Sequence, residues 1–95
     1  MMKETKKERR LGAFFRALGN ESRLYIIELL TKKPMTVKEL AEALDHSQSF
    51  ISRHLQPLNL IGILKYEIDG QLHRYSLNKE KLRSILNDAT DAFFR

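Results

Sequence analysis

Apolar side chains recur along this chain at helical spacing, pause at polar breaks and then resume. Leu11, Phe14, Phe15 and Leu18 share one side of a helix at ~100° per residue, so the stretch from about Lys6 to Leu18 reads as amphipathic. Gly19 ends it and Asn20 can cap the next helix. From Glu21 to Lys32, Leu24, Ile26, Ile27 and Leu30 form a broad apolar face. Lys32 and Lys33 suit the dipole at its carboxyl end, and Pro34 stops it. Thr36-Val37-Lys38-Glu39 has capping-box spacing, and Val37, Leu40, Ala41 and Leu44 then point inward from a short helix. Asp45-His46-Ser47 is a polar break. Ser47 can cap a fourth helix, Gln48 to Ile61, with Ile51, Leu55 and Leu58 on one stripe. Pro57 removes one backbone donor from it and is expected to kink it or loosen its last turn, and Gly62 ends it.

The period then changes to two. Ile63 to Ile68 and Gln71 to Leu77, joined by Asp69-Gly70, read as a β-hairpin on a two-residue turn. That turn places Leu64 opposite Tyr75, Lys65 opposite Arg74 and Tyr66 opposite His73. Leu82, Ile85, Leu86, Ala89, Phe93 and Phe94 mark a closing helix, about Lys79 to Phe94. The predicted fold is mainly α with a small β-hairpin, in the order α-α-α-α-β-β-α. It forms a single domain over residues 1–95, with terminal helices at 5–18 and 79–94, a helix-turn-helix at 36–61 and a wing at 63–77.

On the fourth helix, Ser49, Ser52, Arg53 and Gln56 fall opposite the apolar stripe, with Gln48 at the tip. Small hydroxyls allow close approach to a major groove, Arg pairs with guanine and Gln with adenine. A short helix, a tight turn and a second helix presenting such residues match a helix-turn-helix. Lys65, Gln71, His73 and Arg74 are placed at the hairpin tip and suit phosphate contact or the minor groove, as do Lys38, Ser47 and His54 beside the reader.

Composition narrows the partners. The 95 residues carry a net charge of +5, which favours a polyanion. The stretch from Lys3 to Arg10 reads first as a solvated helical turn and second as a phosphate-contacting arm. Met1 to about Glu4 reads as a loose end. The absence of cysteine excludes disulfides, thiolate metal sites and cysteine nucleophiles, and fits the cytoplasm. No apolar run approaches the ~18–20 residues of a membrane span, and Met1 to Arg10 has no signal-peptide pattern. No phosphate loop, His-Glu-x-x-His or paired nucleophile and base points to an enzyme.

The stretches FFRALGNESRLYIIELL, MTVKELAEALDHSQSFISRHLQPLNLIGILKY and DGQLHRYSL lie between Phe14 and Leu77, about two-thirds of the chain. Together they resemble the ArsR-type winged helix-turn-helix repressor family. The resemblance implies a bacterial or archaeal regulator, a dimer joined by the first and last helices, a palindromic operator, and DNA-facing roles for Gln48, Ser49, Ser52 and Arg53. The chain departs from the pattern where metal sensors are built. Val37-Lys38-Glu39-Leu40 lacks the Cys-x-Cys of many members, and the last helix offers Asp88 and Asp91 without histidine. His46, His54 and His73 all lie in or near the reader. The expectation is no bound metal and no cofactor.

Leu11, Phe14, Phe15 and Leu18 with Leu82, Ile85, Leu86, Ala89 and Phe93 form apolar stripes that a small domain is not expected to cover alone. They are the expected homodimer interface. Phe50 stands beside the reading row, where packing, a thymine methyl or a partner surface could account for it, and packing is the favoured reading. The expected partners are double-stranded DNA, a second copy and an unidentified effector, with no membrane. Two rival uses stay open: a winged helix for protein assembly without DNA reading, and a small-molecule pocket lined by Phe14, Phe15, Phe93 and Phe94.

Overall fold

The structure, a computed structural model, describes residues 5–95. Met1 to Glu4, including the start of the basic stretch at Lys3, lie outside the described residues. The elements run α1 (Lys6–Leu18), α2 (Glu21–Leu30), β1 (Met35–Thr36), α3 (Val37–Leu44), α4 (Gln48–Leu60), β2 (Leu64–Asp69), β3 (Leu72–Leu77) and α5 (Lys79–Phe93). Each of the five described helices starts on a side-chain cap: the oxygens of Thr5, Asn20, Thr36, Ser47 and Asn78 accept from the third backbone N–H onward. The capping box is complete. Glu39 N–H donates to Thr36 Oγ1 at 3.0 Å, and Thr36 N–H donates to Glu39 Oε1 at 2.9 Å. Such a cap stabilises a helix by about 1 kcal/mol, which matters most for the 8-residue α3.

One core holds the elements together. Phe14 of α1, Ile26 of α2, Leu40 of α3, Ile51 and Leu58 of α4, Ile63 before β2 and Ile85 of α5 are all fully buried. Among the described residues the buried set includes no polar or charged side chain. Leu24, expected on the inward face of α2, is exposed, and Ile26 and Leu30 fill that role. α4 continues through Pro57 to Leu60, and Gly62 N–H closes its end on the Asn59 carbonyl at 3.0 Å.

The sheet has three strands in the order β1-β3-β2. β1 has no counterpart in the sequence reading, because two residues carry no periodicity. It pairs Met35 with Tyr75 and Thr36 with Arg74. The hairpin register also differs from expectation. Leu64 lies opposite Leu77, Lys65 opposite Ser76, Tyr66 opposite Tyr75 and Glu67 opposite Arg74. Asp69 pairs with Leu72, so the loop residues are Gly70 and Gln71 rather than Asp69 and Gly70. Gly70 alone of these two has a positive φ, +63°. A glycine in that conformation at the first loop position is the II′ arrangement, which matches strand twist. The slip moves each partner by two residues, so every side chain keeps its expected face.

No heavy atom lies within 4 Å of where a Cβ at Gly70 would stand, apart from its chain neighbours. Gly70→Ala therefore adds backbone strain without a clash. Urea unfolding should show a loss of ~1–3 kcal/mol, and an unchanged midpoint would mean the turn has another conformation.

Candidate nucleic-acid interface

α3 ends on a left-handed residue. Asp45 has φ 54°, His46 N–H donates to the Ala41 carbonyl at 3.0 Å, and Asp45 N–H donates to the Glu42 carbonyl at 3.4 Å. This is a Schellman-type stop. One residue later Ser47 Oγ accepts from Phe50 N–H at 3.1 Å and starts α4. Stop and start leave only Asp45, His46 and Ser47 between the two helices, which makes the joint tight.

Ile51, Leu55 and Leu58 are buried, so the other side of α4 must face solvent. Gln48, Ser49, Ser52, Arg53 and Gln56 are all exposed there, as the sequence pattern predicts. Ser47 and Lys38 are exposed beside this row. The row offers hydroxyl and amide groups, which donate and accept, and one guanidinium.

Phe50 packs, and its neighbours were not foreseen. Its ring stacks on His46 at 3.8 Å between centroids and 11° between planes. It also leans on His54 at 4.3 Å and 47°. His54, expected among the backbone contacts, is engaged within the chain. His54 lies ~60° from the centre of the buried stripe, on the flank away from the reading row. It is half-buried, and its Nδ1 accepts from Arg23 Nε of α2 at 3.3 Å. Burial lowers the His54 pKa, and the charges of Arg23, Arg53 and His46 lower it further.

The wing is less basic than expected. Of the residues assigned to its tip, only Gln71 lies in the turn. Lys65 is exposed near the base, opposite Ser76. Arg74 is half-buried, faces Glu67 across the strands and donates to Asp69 at 3.5 Å. The Thr36 backbone N–H and then its hydroxyl hold the Glu39 carboxyl below its ordinary pKa, with Lys33 and Arg74 adding to the effect. His73 is exposed, but its Nδ1 is hydrogen-bonded to the Tyr66 hydroxyl.

The terminal helices share their stripes between two jobs. Leu11, Phe14, Ile85 and Ala89, expected at the interface, are buried by the chain itself and have almost no surface left for a second copy. Leu18 and Leu82 pack partly against the same core. Phe15, Leu86 and Phe93 remain 43%, 44% and 65% exposed. The Phe15 and Phe93 rings stack at 6.2 Å. Phe14 meets Phe15 edge-on at 5.2 Å, so these aromatic rings pack on one another where a pocket was considered. Arg10 pairs with Asp88 of α5 and so links the two terminal helices.

Among the described residues, no three of His, Cys, Asp and Glu converge as metal ligands. No described helix is long and apolar enough to cross a membrane. Arg23 is the residue of this region that the sequence did not reveal. Its partner His54 is 31 positions away, and no local pattern spans that distance.

The family signature described as "Bacterial regulatory protein, arsR family" matches residues 20–66. The arsenical resistance operon repressor of Bacillus subtilis is 33% identical over 97 aligned positions, covering 99% of this chain and 92% of its own. The crystal structure of NolR from Sinorhizobium fredii is 27% identical, with a TM-score of 0.75, over 98% of this chain and 97% of that one. A homodimeric winged helix-turn-helix DNA-binding domain from Mycobacterium bovis is 22% identical and shares the fold, with a TM-score of 0.70 over 100% of this chain and 94% of its own. Sequence likeness across nearly the whole chain and agreement in fold lead to one conclusion: this protein belongs to the ArsR family of winged helix-turn-helix transcriptional regulators, which bind DNA and are not enzymes.

Proposed function

We propose that two copies of this chain pair through the apolar surface left on α1 and α5 and read a palindromic duplex site as a repressor. Two-fold pairing would set the two α4 helices about one DNA turn, roughly 34 Å, apart. The observation that carries this reading is the exposed polar row on α4, which lies opposite a fully buried stripe and directly follows the tight α3–α4 joint. Gln48, Ser49, Ser52, Arg53 and Gln56 would select bases. Lys38, Ser47, Lys65, Gln71 and His73 would contact the backbone. The working compartment would be the cytoplasm, where a bacterial operator is found. Repression would follow from occluding the polymerase.

Release from DNA requires an effector that favours the unbound dimer. The relative from Bacillus subtilis carries arsenical resistance in its name. This chain has no cysteine to offer a soft ion a thiolate, so its effector would be of a different kind. The rival reading, a protein-assembly module, drew its support from Phe50. That ring is covered by His46 and His54, which removes the support. A gel shift with random duplex DNA at low salt separates the two: retardation supports the reader, and none at micromolar protein rejects it.

Three variants test the assignment of roles. Arg53→Ala should cost ~1–3 kcal/mol on the selected site and relax base choice at one position; an unchanged preference in binding-site selection would remove Arg53 as a reader. Lys65→Ala should weaken every sequence alike and reduce the salt slope by about 1, and a loss confined to one sequence would contradict a phosphate role. Phe15→Glu should yield monomers by analytical ultracentrifugation and weaken specific binding ~100-fold or more, toward the non-specific range. A dimer with full affinity would place the interface elsewhere.

A further inference from the structure

Arg23 sits where three helices meet. Its Nη1 donates to the Ala17 carbonyl at 3.3 Å and to the Arg16 carbonyl at 3.5 Å, both in the last turn of α1. Carbonyls in the last turn of a helix lack intrahelical donors, so a guanidinium satisfies them and complements the helix dipole. The same side chain extends its Nε–H to His54 Nδ1 on α4 at 3.3 Å. The Arg23 backbone N–H is itself the donor to the Asn20 cap, at 3.2 Å, so its own position is set by the start of α2.

The chemistry of this link is directional. An N–H donor can meet only a lone pair, so His54 must be neutral, with its proton on Nε2. The lowered pKa of His54 keeps it in that form. Nε and Nη1 belong to one rigid planar group, so the spacing between His54 Nδ1 and the α1 carbonyls is constrained by the guanidinium itself. Phe50, itself stacked on His46, packs against the same imidazole. The end of α1 is therefore tied to the middle of α4 by a short strut.

We propose that Arg23, acting through His54, is a positioning residue that fixes α4 relative to α1 and thereby sets the half-site spacing the dimer accepts. The inference rests on the reading above, in which α1 belongs to the pairing surface and α4 enters the groove. Moving two half-sites by one base pair shifts them ~3.4 Å and rotates them ~35° about the duplex. A stiff α1–α4 joint would reject that change, and a loose one would tolerate it.

The test begins with binding-site selection on the wild-type protein, followed by titrations on the selected site with one base pair inserted or removed between half-sites. Wild type should lose about tenfold or more in affinity for either altered spacer, a loss of the size of a mismatch. Arg23→Gln and His54→Phe should reduce that loss to about threefold or less, with base preference inside each half-site unchanged. His54→Phe keeps a ring against Phe50, so it serves as the decisive variant if Arg23→Gln does not fold. Nitrogen-15 NMR of the wild-type imidazoles should show His54 protonated on Nε2 only. Full spacing discrimination in a folded His54→Phe variant, or a proton on Nδ1, would overturn the role of Arg23 while leaving DNA reading intact. Failure of wild type to select any paired site would overturn the reading beneath it and the inference with it.

Discussion

Burial of Ile51, Leu55 and Leu58 fixes the rotation of α4 about its own axis, and the exposure of Gln48, Ser49, Ser52, Arg53 and Gln56 follows. Local preference does not account for the helix. Phe, Ile, Ser, His and Asn are indifferent helix formers, and an interior proline such as Pro57 costs about 3 kcal/mol relative to alanine. Burying three aliphatic side chains contributes ~1.5–3 kcal/mol each, which outweighs that penalty. The helix is thus held by the core rather than by its own propensity. With the stripe turned inward, Ser49, Ser52, Arg53 and Gln56 have no direction left but outward. The Schellman stop at Asp45 and the Ser47 cap then fix where along the chain the exposed row begins.

Charge is distributed differently from contact chemistry. On the wing, Lys65 and Arg74 are matched by Glu67 and Asp69, and Arg74 is engaged by Asp69. α1 carries Lys6, Lys7, Arg9, Arg10 and Arg16 against Glu8 alone, which holds most of the chain's net charge of +5. A concentration of charge on one helix produces an attractive field that draws a polyanion without specifying its sequence. The reading row has one cation, Arg53, and otherwise hydroxyl and amide groups, which discriminate among base edges by direction more than by charge. In the proposed reading, attraction and choice would therefore fall to different elements.

Local chemistry made most of the fold legible in the sequence. Thr36 and Glu39 announced a helix start because a capping box needs only four consecutive positions, and Ser47 did the same for α4. The buried and exposed faces of α4 followed from 3.6-residue periodicity. The hairpin was visible, but its register was not. Asp69-Gly70 and Gly70-Gln71 are both acceptable loops, and the choice fell on the one that puts Gly70, with φ +63°, first. β1 escaped because its two residues are strand only through their pairing with Tyr75 and Arg74. The link from His54 to Arg23 escaped for a related reason. The angular position of His54 was readable, but the Arg23 side chain that draws it toward α2 comes from a distant segment, and contacts of that kind leave no periodic trace.

The same limit governs the terminal helices, and it bears on how folding relates to pairing. A stripe of apolar residues shows which side of a helix is buried without showing what buries it. Here α1 and α5 cover part of each other's stripes: Leu11 and Phe14 join Ile85 and Ala89 inside one chain, and Arg10 pairs with Asp88 beside them. The core is closed without help. Obligate dimers, by contrast, often have no stable folded monomer, because their cores are completed by the partner. The stacked Phe15 and Phe93 rings, with Leu86, lie outside that closed core. Apolar surface of this kind adds stability only when something covers it. A second copy would therefore join two finished folds rather than complete them, and in the proposed dimer the joint between α1 and α4 would matter because α4 would reach the paired helices through it.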